Sequence, residues 1–99
     1  DEAIALQEQV VAKVEAAFGS EHFQTATFRG NLGGYHLRKR DYGTAEPLLR
    51  ESVRVLETTL GPDAANTVGM RGRLIELLRK TGREQEAEQL SAARRPEQG

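Results

Sequence analysis

The chain contains no cysteine and no tryptophan, and it has only three prolines and five aromatic residues, two tyrosines and three phenylalanines. Without cysteine it cannot have a disulfide framework or a thiolate metal site. No apolar run approaches the roughly 18–20 residues that span a bilayer, and the N-terminus has no basic region followed by an apolar core. We therefore expect a cytoplasmic protein that does not contact membranes.

The chain also offers little for catalysis. A length of 99 residues corresponds to one short domain, in which a deep catalytic pocket is not expected. His22 and His36 are the only histidines, and there is no glycine-rich phosphate loop. We interpret His22 as a helix-start residue and His36 as a packed or half-buried ring. The sequence thus predicts no enzyme, no catalytic residue, no cofactor and no metal site.

The chain contains two copies of one loop, and other positions of the sequence repeat in the same register. Residues 18–25 read Phe-Gly-Ser-Glu-His-Phe-Gln-Thr, and residues 60–67 read Leu-Gly-Pro-Asp-Ala-Ala-Asn-Thr, 42 positions later. The same shift pairs identical residues elsewhere: Val11 with Val53, Glu15 with Glu57, Arg29 with Arg71, Gly30 with Gly72, Leu32 with Leu74, Ala45 with Ala87, Glu46 with Glu88, and Leu48 with Leu90. A fixed period of this length is typical of stacked repeats. Such arrays need about three units, so we expect a piece of a longer solenoid.

Apolar spacing and turn residues predict five helices and no strand. We place them at residues 3–18, about 21–40, from the turn at 41–44 to 60, from 63 to 80, and 84 to about 93, with Phe28, Leu32, Tyr35 or His36, and Leu37 facing inward on the second. Ser20 and Asp63 are the expected caps of the second and fourth helices, and Pro47 is expected in the first turn of the third. Gly30, Gly33 and Gly34 imply close approach of a neighbouring helix or of a bound chain.

The fold class is therefore all-α, an antiparallel helix-pair solenoid. We predict a repeat array over residues 1–95 and a frayed tail at 96–99. Within the array, residues 1–18 form the second helix of a first repeat, residues 20–60 a full repeat, and residues 62–94 a full or terminal repeat.

The second copy, Leu60-Gly61-Pro62-Asp63 followed by residues 67–88, resembles the tetratricopeptide repeat, and specifically the longer subtype of kinesin light chains and of many bacterial repeat proteins. The loop of that family typically reads Leu-Gly-Pro-Asp-His-Pro-x-Thr, so His22 and Thr25 match its His and Thr. The chain departs from the family pattern at Arg29, Arg71, Glu84 and His36. These departures predict either a terminal repeat with a solvent-exposed outer face or altered packing.

Charge alternates along the chain although the net charge is only −1. Residues 21–40 and 63–83 each sum to +3, whereas residues 1–20, 41–62 and 84–99 sum to −3, −2 and −2. The resemblance implies that the basic helices line a concave groove. Its groove positions fall on Thr27, Gly30, Asn31, Gly34, Arg38, Gly69, Gly72, Arg73, Glu76 and Lys80, and those we predict as the partner-binding groove are Thr27, Asn31, Gly34, Arg38, Arg73, Glu76 and Lys80.

We expect a protein-interaction scaffold that binds an acidic protein or peptide segment, with arginines holding carboxylates and asparagine bonding backbone amides. The alternative for the arginines is pairing with acids of neighbouring helices or solvation of a face. The alternative for the function is self-association through Ile4, Leu6, Val10 and Val11, or a spacer within a larger regulatory or signalling protein. Nucleic-acid binding is disfavoured by the acidic helices and by the lack of stacking aromatics on the basic ones.

Overall fold

A computed structural model describes residues 1–93, and this part of the chain is built of helices without a strand, which confirms the all-α prediction. The helices are α1 (Glu2–Phe18), α2 (Phe23–Arg38), α3 (Tyr42–Leu60), α4 (Ala65–Lys80) and α5 (Glu84–Ala93). The end of the predicted array at residues 94–95 and the predicted tail at 96–99 lie outside the described residues.

The helix ends follow the 42-residue period. Phe23 and Ala65 begin α2 and α4, and Arg38 and Lys80 end them, so both ends of these 16-residue helices are 42 positions apart. The same interval separates the ends of α1 and α3 and the starts of α3 and α5. The repeat seen in the residues is therefore a repeat of helix boundaries as well.

The core lies between successive helices. Each helix packs against the next one along the chain, and α2 also contacts α4. The buried cluster is formed by Ala26, Leu37, Ala45, Leu49, Val53, Val55, Leu56, Met70, Leu74, Leu77, Leu78 and Ala87. On α2 the predicted inner residues Leu32 and Leu37 are buried, whereas Phe28, Tyr35 and His36 are half-buried. α1, in contrast, has no buried residue.

Two helix starts differ from the prediction. His22, rather than Ser20, caps α2, and its Nδ1 accepts a hydrogen bond of 3.0 Å from the backbone N–H of Gln24. α4 begins at Ala65, and its N-cap residue is Ala64, which provides no side-chain cap, so Asp63 does not have the capping role. In both loops a turn at residues 20–21 and 62–63 precedes the helix, so the helix begins one or two residues later than the polar residues suggested and their side chains do not occupy the capping position.

The start of α3 also differs. Asp41 caps it by accepting a hydrogen bond of 3.4 Å from the Thr44 N–H, and the helix begins at Tyr42. Pro47 is consequently inside the helix rather than in its first turn. Pro47 has no N–H, so the carbonyl of Gly43 lacks its intrahelical donor at this point.

Close helix packing explains two of the α2 glycines. A Cβ added to Gly30 would lie 2.6 Å from Ser52 Oγ and would overlap the Met70 side chain. A Cβ added to Gly33 would lie 3.0 Å from Leu49 Cγ. Of the two reasons predicted for these glycines, the neighbouring helix is therefore the correct one, and Gly30 is buried beneath α3 and α4 side chains rather than open in a groove.

Candidate functional site

Two adjoining clefts lie along α2 and α4. The first, of about 140 Å³, is lined by Gln7, Asn31, Gly34, Tyr35, Arg38 and Arg73. The second, of about 210 Å³, is lined by Thr27, Asn31, Asn66, Gly69, Met70 and Arg73. Asn31 and Arg73 line both, so together the clefts form one continuous surface, which we call the groove.

Arg73 is held in place at the centre of the groove. Its Nη1 donates to Asn31 Oδ1 at 3.1 Å and to the carbonyl oxygen of Gly30 at 3.3 Å. A guanidinium has five N–H donors, so the remaining ones are available to a ligand. The same bond occupies the carboxamide oxygen of Asn31 and leaves its Nδ2 to donate.

Gly34 and Tyr35 shape the end of the groove nearest Arg38. A Cβ on Gly34 would lie 3.3 Å from Arg73 Nη1, so the glycine gives the guanidinium room against α2. The Arg38 guanidinium carbon lies 5.0 Å from the centre of the Tyr35 ring, within the range of a cation–π interaction. Both groove arginines are thus oriented by contacts with α2.

Five of the seven predicted groove residues line the clefts, namely Thr27, Asn31, Gly34, Arg38 and Arg73. Glu76 and Lys80 are exposed on α4 but line neither cleft. Whether any of these residues binds a partner stays a prediction.

Sequence reasoning missed four residues that line the clefts: Gln7, Tyr35, Asn66 and Met70. Gln7 lies on α1, and its Nε2 donates to the Phe28 carbonyl oxygen at 3.2 Å. Its position depends on how α1 packs against α2, for which the sequence has no signal. Tyr35 was predicted to face inward as an alternative to His36, and Met70 is buried in the core, so only the structure shows that both also border a cleft.

The groove arginines differ from most others in their partners. Within residues 1–93, ion pairs with carboxylates are formed by Arg29, Arg50, Arg54, Arg71, Arg79 and Arg83. Pairing with neighbouring helices is therefore the correct interpretation for Arg29 and Arg71. Arg38 and Arg73 form no such pair in this part of the chain, and they are the charged residues among those lining the clefts. The groove is consequently cationic.

Other chemistry has little support in the described residues. No group of three His, Asp or Glu side chains there could hold a metal ion. His36 Nδ1 lies 3.3 Å from Asp41 Oδ2, and the pKa of Asp41 is lowered chiefly by its hydrogen bond with Thr44. No helix within residues 1–93 combines the length and the apolar character that crossing a membrane requires.

Comparison with protein families gives one match. A family model described as tetratricopeptide repeat matches residues 1–58, which span α1, α2 and nearly all of α3. A comparison with curated proteins gives no match.

Proposed function

Because the chain belongs to the tetratricopeptide-repeat family, whose repeats generally mediate protein–protein interaction, we propose that it is a scaffold that binds an acidic segment of a partner protein in the groove. The observation that carries this proposal is the pair of oriented arginines, Arg38 and Arg73, that have no carboxylate partner within residues 1–93. A bound carboxylate would supply that partner.

The groove offers complementary bonds to an extended chain. An arginine fork can bind a carboxylate through two parallel N–H···O bonds. Asn31 Nδ2, left as a donor by the bond to Arg73, can bond a peptide carbonyl. Met70 and Gly69 provide an apolar and open wall in the second cleft, where an uncharged part of the segment can lie. The protein acts by holding its partner, without chemistry of its own.

We further propose the finer assignments of subtype and organisation. The 42-residue spacing of the helix ends supports the longer, kinesin-light-chain-like subtype, and it supports extending the array through α4 and α5, beyond the matched residues. In this proposal residues 1–18 are the second helix of one repeat, residues 20–60 a full repeat and residues 62–94 a full or terminal repeat. We also propose that the protein is cytoplasmic and that its partner is not a nucleic acid.

The experiment measures binding of short extended peptides by fluorescence anisotropy, using an acidic peptide, its lysine counterpart and a neutral one. We expect the chain to prefer the acidic peptide and the double variant Arg38→Ala/Arg73→Ala to bind it at least tenfold more weakly. Arg54→Ala/Arg79→Ala is the matched control, since it removes the same charge from exposed arginines outside the clefts. Equal weakening by both double variants, or no preference for the acidic peptide, would refute groove binding.

Self-association is the alternative function, and one observation favours it. Leu6 and Phe18 on α1 are 63% and 51% exposed, which is high for large apolar side chains. Sedimentation velocity at several concentrations distinguishes the two functions, because only self-association makes the mass of the isolated chain depend on its concentration.

A further inference from the structure

In the second cleft, between α2 and α4, most polar side chains are already bonded within the protein. Thr27 Oγ1 donates to the Phe23 carbonyl oxygen at 2.8 Å. Asn31 Oδ1 accepts from Arg73 Nη1 at 3.1 Å, and the same Nη1 lies 3.6 Å from Met70 Sδ. These bonds engage the polar side chains, and the Met70 side chain adds an apolar surface to the cleft.

Gly69 keeps this cleft open. It is an exposed residue inside α4, where glycine is destabilising relative to alanine, and a Cβ added there would meet nothing within 4 Å. Tight contacts with α3 and α4 explain Gly30 and Gly33, but no such contact explains Gly69. The space beside Gly69 belongs to a cleft of about 210 Å³. Since a cavity of about 150 Å³ holds a benzene molecule, a large apolar side chain fits there.

The two clefts are spaced so that an extended chain reaches from one to the other in two residues. Thr27 lines the second cleft and Gly34 the first, and they are seven positions apart on α2 with the shared Asn31 between them. Seven helical residues rise about 10 Å, so the cleft centres are about 5–10 Å apart. Side chains two positions apart in an extended chain lie on the same side, about 7 Å from each other. An acidic side chain in the first cleft therefore places the side chain two positions away in the second.

We propose that the second cleft binds a large apolar side chain of the partner segment, two positions from the acidic residue held by Arg38 and Arg73, and that Gly69 determines this specificity. The inference rests on the proposed binding of an acidic segment and adds which residue must accompany the acid. Met70 suits the contact because its unbranched thioether adapts to apolar groups of different shape. Leucine, methionine and phenylalanine fit, whereas alanine leaves the cleft empty.

The test uses extended peptides that carry one glutamate and differ at one other position. Leucine stands two positions after the glutamate, two positions before it, or next to it, and the reference peptide has alanine at all three positions. We expect leucine at one of the two outer positions to strengthen binding at least fivefold in fluorescence anisotropy, since it removes apolar surface from water. Only one outer position enters the second cleft, because the chain binds in one direction, and leucine next to the glutamate should bind like the reference.

Gly69→Leu fills the second cleft from within the protein, so we expect it to reduce the effect of the peptide leucine to less than about twofold. Gly72→Leu is the matched control, because Gly72 is also an exposed and open glycine of α4 but lines neither cleft. The preference for leucine should persist in that variant. Both substitutions replace a helical glycine by a better helix former, and circular dichroism checks that both variants remain equally helical.

The proposal is overturned if leucine strengthens binding at neither outer position, or equally when it is next to the glutamate. It is also overturned if Gly69→Leu keeps the preference for leucine or if Gly72→Leu removes it. A reference peptide that binds no better than a neutral one refutes groove binding and this inference with it. If the reference peptide binds and leucine adds nothing, groove binding stands and this inference alone fails.

Discussion

At the scale of single residues, matched positions in the two copies make matched bonds. Arg29 pairs with Glu15 at 2.8 Å, and 42 positions later Arg71 pairs with Glu57 at 2.6 Å. The second pair is the more enclosed, since the Arg71 side chain is 3% exposed and the Arg29 side chain 17%. The identical residues at these positions therefore form the same ion pair between successive helices in both copies.

The matched threonines have a similar role. Thr25 Oγ1 donates to the Gly19 carbonyl at 2.6 Å, and Thr67 Oγ1 donates to the Leu56 carbonyl at 3.3 Å. Both threonines are fully buried. The Gly19 carbonyl lies just past the end of α1, whereas the Leu56 carbonyl lies within α3 and also accepts from the Gly61 N–H at 3.2 Å. Both threonines thus link the start of a helix to the end of the preceding one.

Gly30→Ala tests the close packing of α2. The added methyl group would overlap the Met70 side chain and lie 2.6 Å from Ser52 Oγ. Overpacking costs about 1–3 kcal/mol and the gain in helix propensity is about 1 kcal/mol, so we expect a net loss of up to about 2 kcal/mol in the free energy of unfolding. Urea denaturation followed by circular dichroism measures it.

Gly69→Ala is the matched control, since Gly69 is also inside a helix but a Cβ there would meet nothing within 4 Å. It should raise the free energy of unfolding by up to about 1 kcal/mol. If both substitutions stabilise the chain, Gly30 is not at a tight contact.

At the scale of helices, α5 is attached by ion pairs as well as by its buried Ala87. Arg83, just before α5, donates to both carboxylate oxygens of Glu46 on α3, at 2.9 and 2.6 Å. Arg50 of α3 links Glu46 to Glu86 of α5, each at 2.8 Å. These bonds, led by the hydrogen bond from Arg83, lower the pKa of Glu46 to about 2.

The low pKa of Glu46 predicts an acid-sensitive attachment of α5. A carboxylate whose pKa is depressed on folding stabilises the folded state above its unfolded pKa of 4.5, and this contribution is lost as the pH falls towards about 2. We expect Glu46→Gln to destabilise the chain by about 1 kcal/mol at pH 7, with the difference from the parent shrinking between those two values. Urea titrations at a series of pH values measure it, and a difference independent of pH would exclude this role.

Helix number, type and spacing could be predicted from the sequence because they depend on local patterns. Gly19 and Gly61 end their helices with positive φ, and the apolar spacing marks the segments between them. The predicted starts of α2 and α4 were wrong. Ser20 and Asp63 are residue types that commonly cap helices, and only the path of each loop shows that they do not cap these two helices. Gln7 lines the groove because α1 packs against α2, and no local sequence pattern predicts that packing.

At the scale of the whole molecule, the described part measures 39 × 28 × 16 Å. Each helix packs mainly against the helices next to it along the chain. In such arrays stability is close to a sum of unit and interface contributions. α1 has no buried residue, whereas α3 has six. The two ends of the array are therefore less protected than its middle.

This gradient predicts the order of amide hydrogen exchange. We expect amides of α1 and α5 to exchange by local opening at free energies below that of global unfolding, and amides of the buried side of α3 to exchange last. Exchange followed by NMR at pH 7 measures this order. Uniform protection across all five helices would show instead that the chain unfolds as a single cooperative unit.

The coincidence of helix ends with the 42-residue period has a consequence for how such a chain can change in length. An in-frame duplication of residues 23–64 would add one complete helix pair and would join Ala64 to Phe23, where Ala64 now precedes Ala65. The junction falls at the start of a helix, as the Ala64–Ala65 bond does now, and interrupts no helix. Unequal recombination between copies of the gene segment could thus lengthen or shorten the protein by whole units, each of which inherits its own Arg–Glu link to the unit before it.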